Sequence, residues 1–181
     1  INSGATLNVY SNFENNGTVT VQDAGSLIYH NCDSAITGTG GIFNVEKNTP
    51  VYTGSDFYSY WSSPVVPAAA NIGTVFPDAE VVYSYDASSN PANWSFEGTG
   101  VTMETGVGYA IQNEGEGGQL RSFSGSINQG VVSVPTYYNP NFEGTDNEGG
   151  TWSGSGDNLV GNPYASAIDW DKVITDEDNS K

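Results

Sequence analysis

Apolar residues recur along this chain in short alternating runs separated by Gly, Asn and Asp, and the 3.6-residue spacing of an amphipathic helix is sustained nowhere for more than a turn or two. Over residues 1–45 the layout repeats. Gly4-Ala5-Thr6-Leu7-Asn8-Val9 is echoed about twenty residues later by Ala24-Gly25-Ser26-Leu27-Ile28-Tyr29, so that Leu7 matches Leu27. Asn15-Asn16-Gly17-Thr18-Val19-Thr20-Val21 is echoed in the same way by Gly40-Gly41-Ile42-Phe43-Asn44-Val45. Strands this short carry one or two apolar residues each and can bury them only if successive turns of chain stack. The pattern predicts parallel coils of a β-solenoid with Leu7, Val19 and Leu27 in one narrow core, with a pair of plain β-hairpins as the alternative.

From Asp56 the runs lengthen and become aromatic. Strands are predicted at residues 57–66, 81–85, 93–97, 107–112, 120–125, 131–134 and 159–161, with turn signals between them, which is the texture of a sandwich or jelly roll. In Phe57-Tyr58-Ser59-Tyr60-Trp61 a period of two puts Phe57, Ser59 and Trp61 on one face and the two tyrosines on the other. Both faces are aromatic, so cover on both sides is expected. Residues 139–157 show no periodicity and read as a long surface loop. A helix of one or two turns is expected near Trp170–Ile174, with Ser166 or Asp169 as its cap. The predicted fold class is therefore all-β, a short β-solenoid segment (residues 1–45) followed by a β-sandwich or jelly-roll-like domain (residues 46–181).

Composition sharpens this picture. The 23 Gly, 8 Pro and 11 Tyr suit strands and tight turns. Four Lys plus Arg against 21 Asp plus Glu leave a net charge of -17, which opposes approach to nucleic acid or anionic lipid. No apolar run is long enough to span a bilayer. Cys32 stands alone, so no internal disulfide is possible.

Catalytic constellations are missing. His30 is the sole histidine, and beside Cys32 it has no orienting partner or oxyanion motif; the two together are too few for a structural zinc site. The acidic residues, Glu97 and Glu104 among them, carry no glycosidase signature, and Lys47, Arg121, Lys172 and Lys181 are too scattered for lyase chemistry on acidic sugars. The sequence predicts a non-enzymatic module.

Oxygen-rich clusters at Asp176 and Asp178, and at Asp146, Glu148 and Asp157, are candidate Ca²⁺ ligands, although Lys181 stands where a Ca²⁺ loop would place its glycine. Tyr137, Tyr138 and Trp152, in or beside a polar stretch, are candidates to stack on sugar rings, or else to seal one end of the sandwich. Trp61, Tyr109, Tyr164 and Trp170 read as core.

Four blocks occur in order: Tyr60-Trp61-Ser62-Ser63-Pro64-Val65, Gly106-Val107-Gly108-Tyr109-Ala110, Phe123-Ser124-Gly125 with Asn128-Gln129-Gly130, and Asn158-Leu159-Val160-Gly161-Asn162-Pro163-Tyr164 running on to Asp169-Trp170. They resemble the long extracellular proteins of Bacteroidota exported by type IX secretion. The resemblance implies passage through that secretion machinery, a place on or outside the cell, and an internal fragment of a longer protein. It also draws attention to Asp33-Ser34-Ala35, which resembles the short acceptor at which such proteins are O-glycosylated on Ser34.

In the last block Pro163 has no amide to donate, so a strand there must end near Gly161. Asn162 and Asp169 are then expected to bond backbone groups that the turn leaves unpaired, and Trp170 to be buried. The functional expectation is a structural or adhesive extracellular module, with a carbohydrate-binding module of a secreted polysaccharide-degrading protein as the alternative. An exposed row of aromatic rings would favour the alternative.

Overall fold

A computed structural model describes residues 1–31, 34–51, 58–67, 70–89, 92–113, 118–145 and 151–175. The first strands are β1 (Thr6–Val9), β2 (Phe13–Glu14), β3 (Thr18–Val21), β4 (Ser26–Tyr29), β5 (Ile36–Thr37) and β6 (Ile42–Asn48). They pair as β1 with β4, β2 with β5 and β3 with β6, all parallel, with Leu7 opposite Leu27 and Val19 opposite Phe43. The parallel pairing predicted from the repeat is what forms. Val9, Val21, Leu27, Phe43 and Val45 are buried by it. Leu7 departs from expectation: among the described residues β1 pairs on one edge, with β4, and its leucine keeps more than a third of its surface in water.

The corner between β5 and β6 shows why the repeat carries glycine. A Cβ on Gly41 would lie 2.2 Å from the carbonyl oxygen of Asn15, so only glycine lets the second turn of chain close on the first. Asn15 itself is buried. Its Nδ2 donates to the Ile42 carbonyl (3.2 Å), and its Oδ1 accepts from the Gly17 amide (3.0 Å).

Beyond this region lie β7 (Tyr58–Trp61), helix α1 (Ile72–Val75), β8 (Ala79–Asp86), β9 (Asn93–Phe96) and β10 (Tyr109–Asn113). The four strands form an antiparallel sheet in the order β7-β10-β8-β9. Asn71 caps α1, its side-chain oxygen accepting from the Thr74 amide. Strand β11 (Leu120–Gly125) then runs antiparallel to β6, giving the mixed sheet β11-β6-β3. The expected boundary at 45/46 thus falls inside β6.

A single apolar core runs through both regions. At its centre Trp61, Phe76 and Phe123 meet, with ring centroids 4.9 Å (Trp61–Phe76) and 6.0 Å (Phe76–Phe123) apart. Each buried Phe contributes about 1.5–3 kcal/mol by leaving water. Arg121, beside them on β11, is almost fully buried. Its Nη2 donates to the Asp78 carboxylate at 2.5 and 2.6 Å and to Gln119 at 2.7 Å, and its guanidinium lies over the Phe76 ring.

Several expectations need correction. Residues 139–157 are no plain loop: β12 (Asn139–Thr145) and β13 (Thr151–Ser155) pair antiparallel. Backbone hydrogen bonding makes this ladder without the apolar alternation that would announce it. Among the described residues, 131–134 are extended without a strand partner, and 159–161 make a single bridge, Val107 to Val160. The helix predicted near Trp170 is present as α2 (Trp170–Thr175), but Trp170 is 54% exposed and so is not a core residue. It stands at the first position of the helix.

The structure is thus nearly all β, with several sheets and none closed among the described residues. No described helix is long and apolar enough to cross a membrane.

Candidate functional site

The outer face of the four-stranded sheet carries aromatic rings from three of its strands. On β7, Ser59 is buried beneath the sheet while Tyr58 and Tyr60 point outward, as the period of two dictates. The register then sets Tyr60 beside Ala110 of β10, Ala110 beside Tyr83 of β8, and Tyr83 beside Phe96 of β9, with Tyr85 opposite Trp94 in the neighbouring row. Tyr60 is 65% exposed, Phe96 66% and Trp94 46%. The cover expected over the tyrosine face of β7 is therefore absent among the described residues; the rings pack on one another instead. Tyr58 contacts Tyr83 (6.0 Å between centroids), Tyr83 contacts Phe96 (5.8 Å) and Tyr85 contacts Trp94 (5.1 Å). Tyr60 lies stacked towards Trp94 at 6.4 Å and 26°. The small side chain of Ala110, on the strand beside β7, leaves room for the rings to lean together.

At one end this face deepens into an open cleft of about 370 Å³, lined by Tyr60, Tyr85, Trp94, Asp157, Asn158 and Leu159. The segment holding the last three is fixed from two sides. Gly108 donates its amide to the Leu159 carbonyl (3.2 Å), and Gly161 donates to Gly106 (2.8 Å). Asn158 clamps Tyr137, accepting from its amide (2.9 Å) and donating to its carbonyl (3.0 Å), and also donates to the Gly156 carbonyl (2.7 Å). With its amide engaged in this way, Asn158 positions the loop. Asp157 beside it is exposed, and its carboxylate has no hydrogen-bond partner among the described residues.

The residues singled out from sequence are dispersed around this cleft. Tyr137 and Tyr138 are exposed but do not line it; Tyr137 is tied to it through Asn158. The Trp152 side chain lies outside the described residues, as do Asp146, Glu148, Asp176 and Asp178. Among the described residues no three His, Cys, Asp or Glu side chains come together to hold a metal. Ser34 is 7% exposed, its Oγ enclosed without a hydrogen-bond partner among the described residues. His30 stacks on Tyr10 (4.3 Å, 7°) and bonds Asn8 Oδ1 through Nε2 (2.7 Å), while Cys32 lies outside the described residues.

The sequence does carry a signal for the aromatic face. Tyr58/Tyr60, Tyr83/Tyr85 and Trp94/Phe96 are three pairs of aromatic residues two apart, each on a strand. Such spacing places each pair on one face but does not say whether anything covers it.

The four sequence blocks that begin at Tyr60, Gly106, Phe123 and Asn158 meet at a junction beside the sheet. Asn128 Nδ2 lies within hydrogen-bonding distance of the carbonyls of Ser63, Val65 and Pro163, Ser62 Oγ donates to Asn162, and the Tyr164 hydroxyl donates to Gly130. Asn162 closes its own turn as expected, accepting from the Tyr164 amide and donating to the Ser166 carbonyl. A Cβ on Gly161 would stand 2.3 Å from Ser62 Cβ, so the glycine is required by close approach. Tyr109 is buried here, and burial raises the pKa of its hydroxyl, which accepts from the Glu104 amide.

Residues 1–181 match the family model described as "Domain of unknown function (DUF8693)", and the chain belongs to that family. No curated protein and no solved structure matches it.

Proposed function

We propose that this chain is an adhesive module of an extracellular protein and that it holds glycan on the outer face of the β7-β10-β8-β9 sheet. The observation that carries this is the row of exposed rings ending in a cleft with a carboxylate that has no hydrogen-bond partner among the described residues. Pyranose rings present apolar C–H faces and a rim of hydroxyls, so they are held by flat aromatic side chains with a few polar groups at the edge. A contiguous aromatic patch left in water is otherwise a solubility liability, and it marks a binding surface. The resemblance of the four sequence blocks to type IX exported proteins supports a place outside the cell.

Within this reading, residues 1–48 are two coils of a β-solenoid, and the remaining sheets form a sandwich-like body. Support for the coils comes from the three parallel pairs and from the first residue. Ile1 donates its amine to the Thr20 carbonyl (2.6 Å) and accepts from the Gln22 amide (3.0 Å), which is the hydrogen-bond pattern of a parallel bridge to Val21. Val21 is thus flanked by Ile1 on one side and Val45 on the other.

Binding to a panel of polysaccharides tests the glycan reading. Trp94→Ala and Tyr60→Ala are each expected to weaken the best binder about tenfold or more while leaving the melting temperature nearly unchanged. Binding that survives both substitutions would reject the site.

A further inference from the structure

We infer that the cleft at Tyr60, Tyr85 and Trp94 takes uncharged glycans and rejects those bearing uronate or sulfate, with Asp157 as the group that sets this rule. The inference rests on the glycan reading above and adds the class of sugar. It begins from the chemistry of the rim. An ionised carboxylate only accepts hydrogen bonds, and its two oxygens match a pair of neighbouring sugar hydroxyls, both of which donate. The phenol hydroxyls of Tyr60 and Tyr85 and the indole N–H of Trp94 supply donors for the sugar's remaining oxygens.

Charge then decides which sugars enter. Among the described side chains no cation lines the cleft. Lys47 lines a neighbouring cavity of about 600 Å³ that shares Tyr60 with the cleft but contains neither Asp157 nor Trp94, and Arg121 is buried against Asp78. An anionic sugar would therefore meet Asp157 with no cation of the described residues lining the cleft to neutralise it. In water, a like charge about 4 Å from an exposed carboxylate weakens binding roughly fivefold. The chain's net charge of -17 adds a longer-range repulsion that salt screens. A polymer with a charge on every unit incurs this penalty repeatedly.

The test is calorimetry with length-matched neutral oligosaccharides (cello-, xylo- and manno-oligomers) and oligogalacturonate, at low and high salt. The wild-type chain is expected to bind at least one neutral oligomer at least tenfold more tightly than oligogalacturonate, with the gap narrowing as salt rises. Asp157→Asn should weaken the neutral ligand about tenfold, as loss of a hydrogen bond to a charged group does. Asp157→Lys should admit oligogalacturonate. Asp157 has no hydrogen-bond partner among the described residues, so an unchanged melting temperature is expected of both variants and separates lost recognition from lost folding. If oligogalacturonate bound as tightly as the neutral oligomers and Trp94→Ala abolished both, the charge rule would be overturned and the glycan site would stand. If nothing bound, or Trp94→Ala changed nothing, the glycan reading would fail and take this inference with it.

Discussion

The parallel-paired strands β1–β6 and the four-stranded sheet use the same alternation of apolar and polar residues to opposite ends. In β1–β6, one side of the strands faces an interior filled by Val9, Val21, Leu27, Phe43 and Val45, and the other side is mostly Asn, Thr and Ser. In the sheet, β7, β8 and β9 carry large aromatic rings on the side turned away from the core, where Val82, Ile111 and Phe76 are packed. Rings on that side leave apolar surface in water, and it is on them that the proposed glycan site rests. An alternating strand therefore says which residues share a face; the neighbouring elements decide whether that face is interior or surface.

The most direct way to break this comparison is to truncate one ring from each side of the fold. Phe123→Ala, at the centre of the Trp61–Phe76–Phe123 cluster, is expected to cost about 3–5 kcal/mol in urea denaturation. Phe96→Ala on the outer face should stay within about 0.5 kcal/mol of the parent. Equal losses would mean that the outer face is a second core and that the contrast drawn here is false.

A smaller effect probes the parallel-paired strands alone. Asn15→Ala removes a buried side chain that serves two backbone groups across the corner, and about 1–3 kcal/mol should be lost. Faster hydrogen exchange at the Gly17 amide, which Asn15 accepts, would localise that loss to the turn of chain where it belongs.

The smallest expected change is a response to alkali. Burial pushes the Tyr29 hydroxyl up to about 12 and raises that of Tyr109, whereas an unfolded tyrosine titrates near 10. The folded state thus holds these protons more tightly. Stability should be unaffected below about pH 10 and should fall from there towards pH 12. A melting curve recorded across that range, alongside phenolate absorbance, checks both the direction and the late titration.

Much of the local structure was legible. The Leu7–Leu27 register follows from matching the two halves of the repeat, β11 coincides with the predicted 120–125, and the Pro163 argument anticipated how Asn162 closes its turn. What could not be read was non-local. Nothing in Ile42–Asn48 announces that its second edge will take Leu120–Gly125, because pairing partners are chosen by the assembled core. The β12–β13 ladder lacks the alternation that would reveal it, and α1 is too short for periodicity to register, although Asn71 is the kind of residue that caps a helix. The cleft was missed for a related reason. Tyr60, Tyr85, Trp94 and Asp157 are brought together from four separate stretches of chain, and only the i, i+2 aromatic pairs hint at it.

Strand β6 has a consequence for how such a protein can be inherited. It is parallel to β3 along one edge and antiparallel to β11 along the other, through the same residues Phe43 to Val45. A single residue inserted there would turn every following side chain to the wrong face for both neighbours at once. Recombination that swaps the parallel-paired strands β1–β5 for others must therefore cut before Ile42 and leave β6 with the body of the fold, so that the seam along which this architecture can be rearranged lies upstream of the strand that joins its two halves.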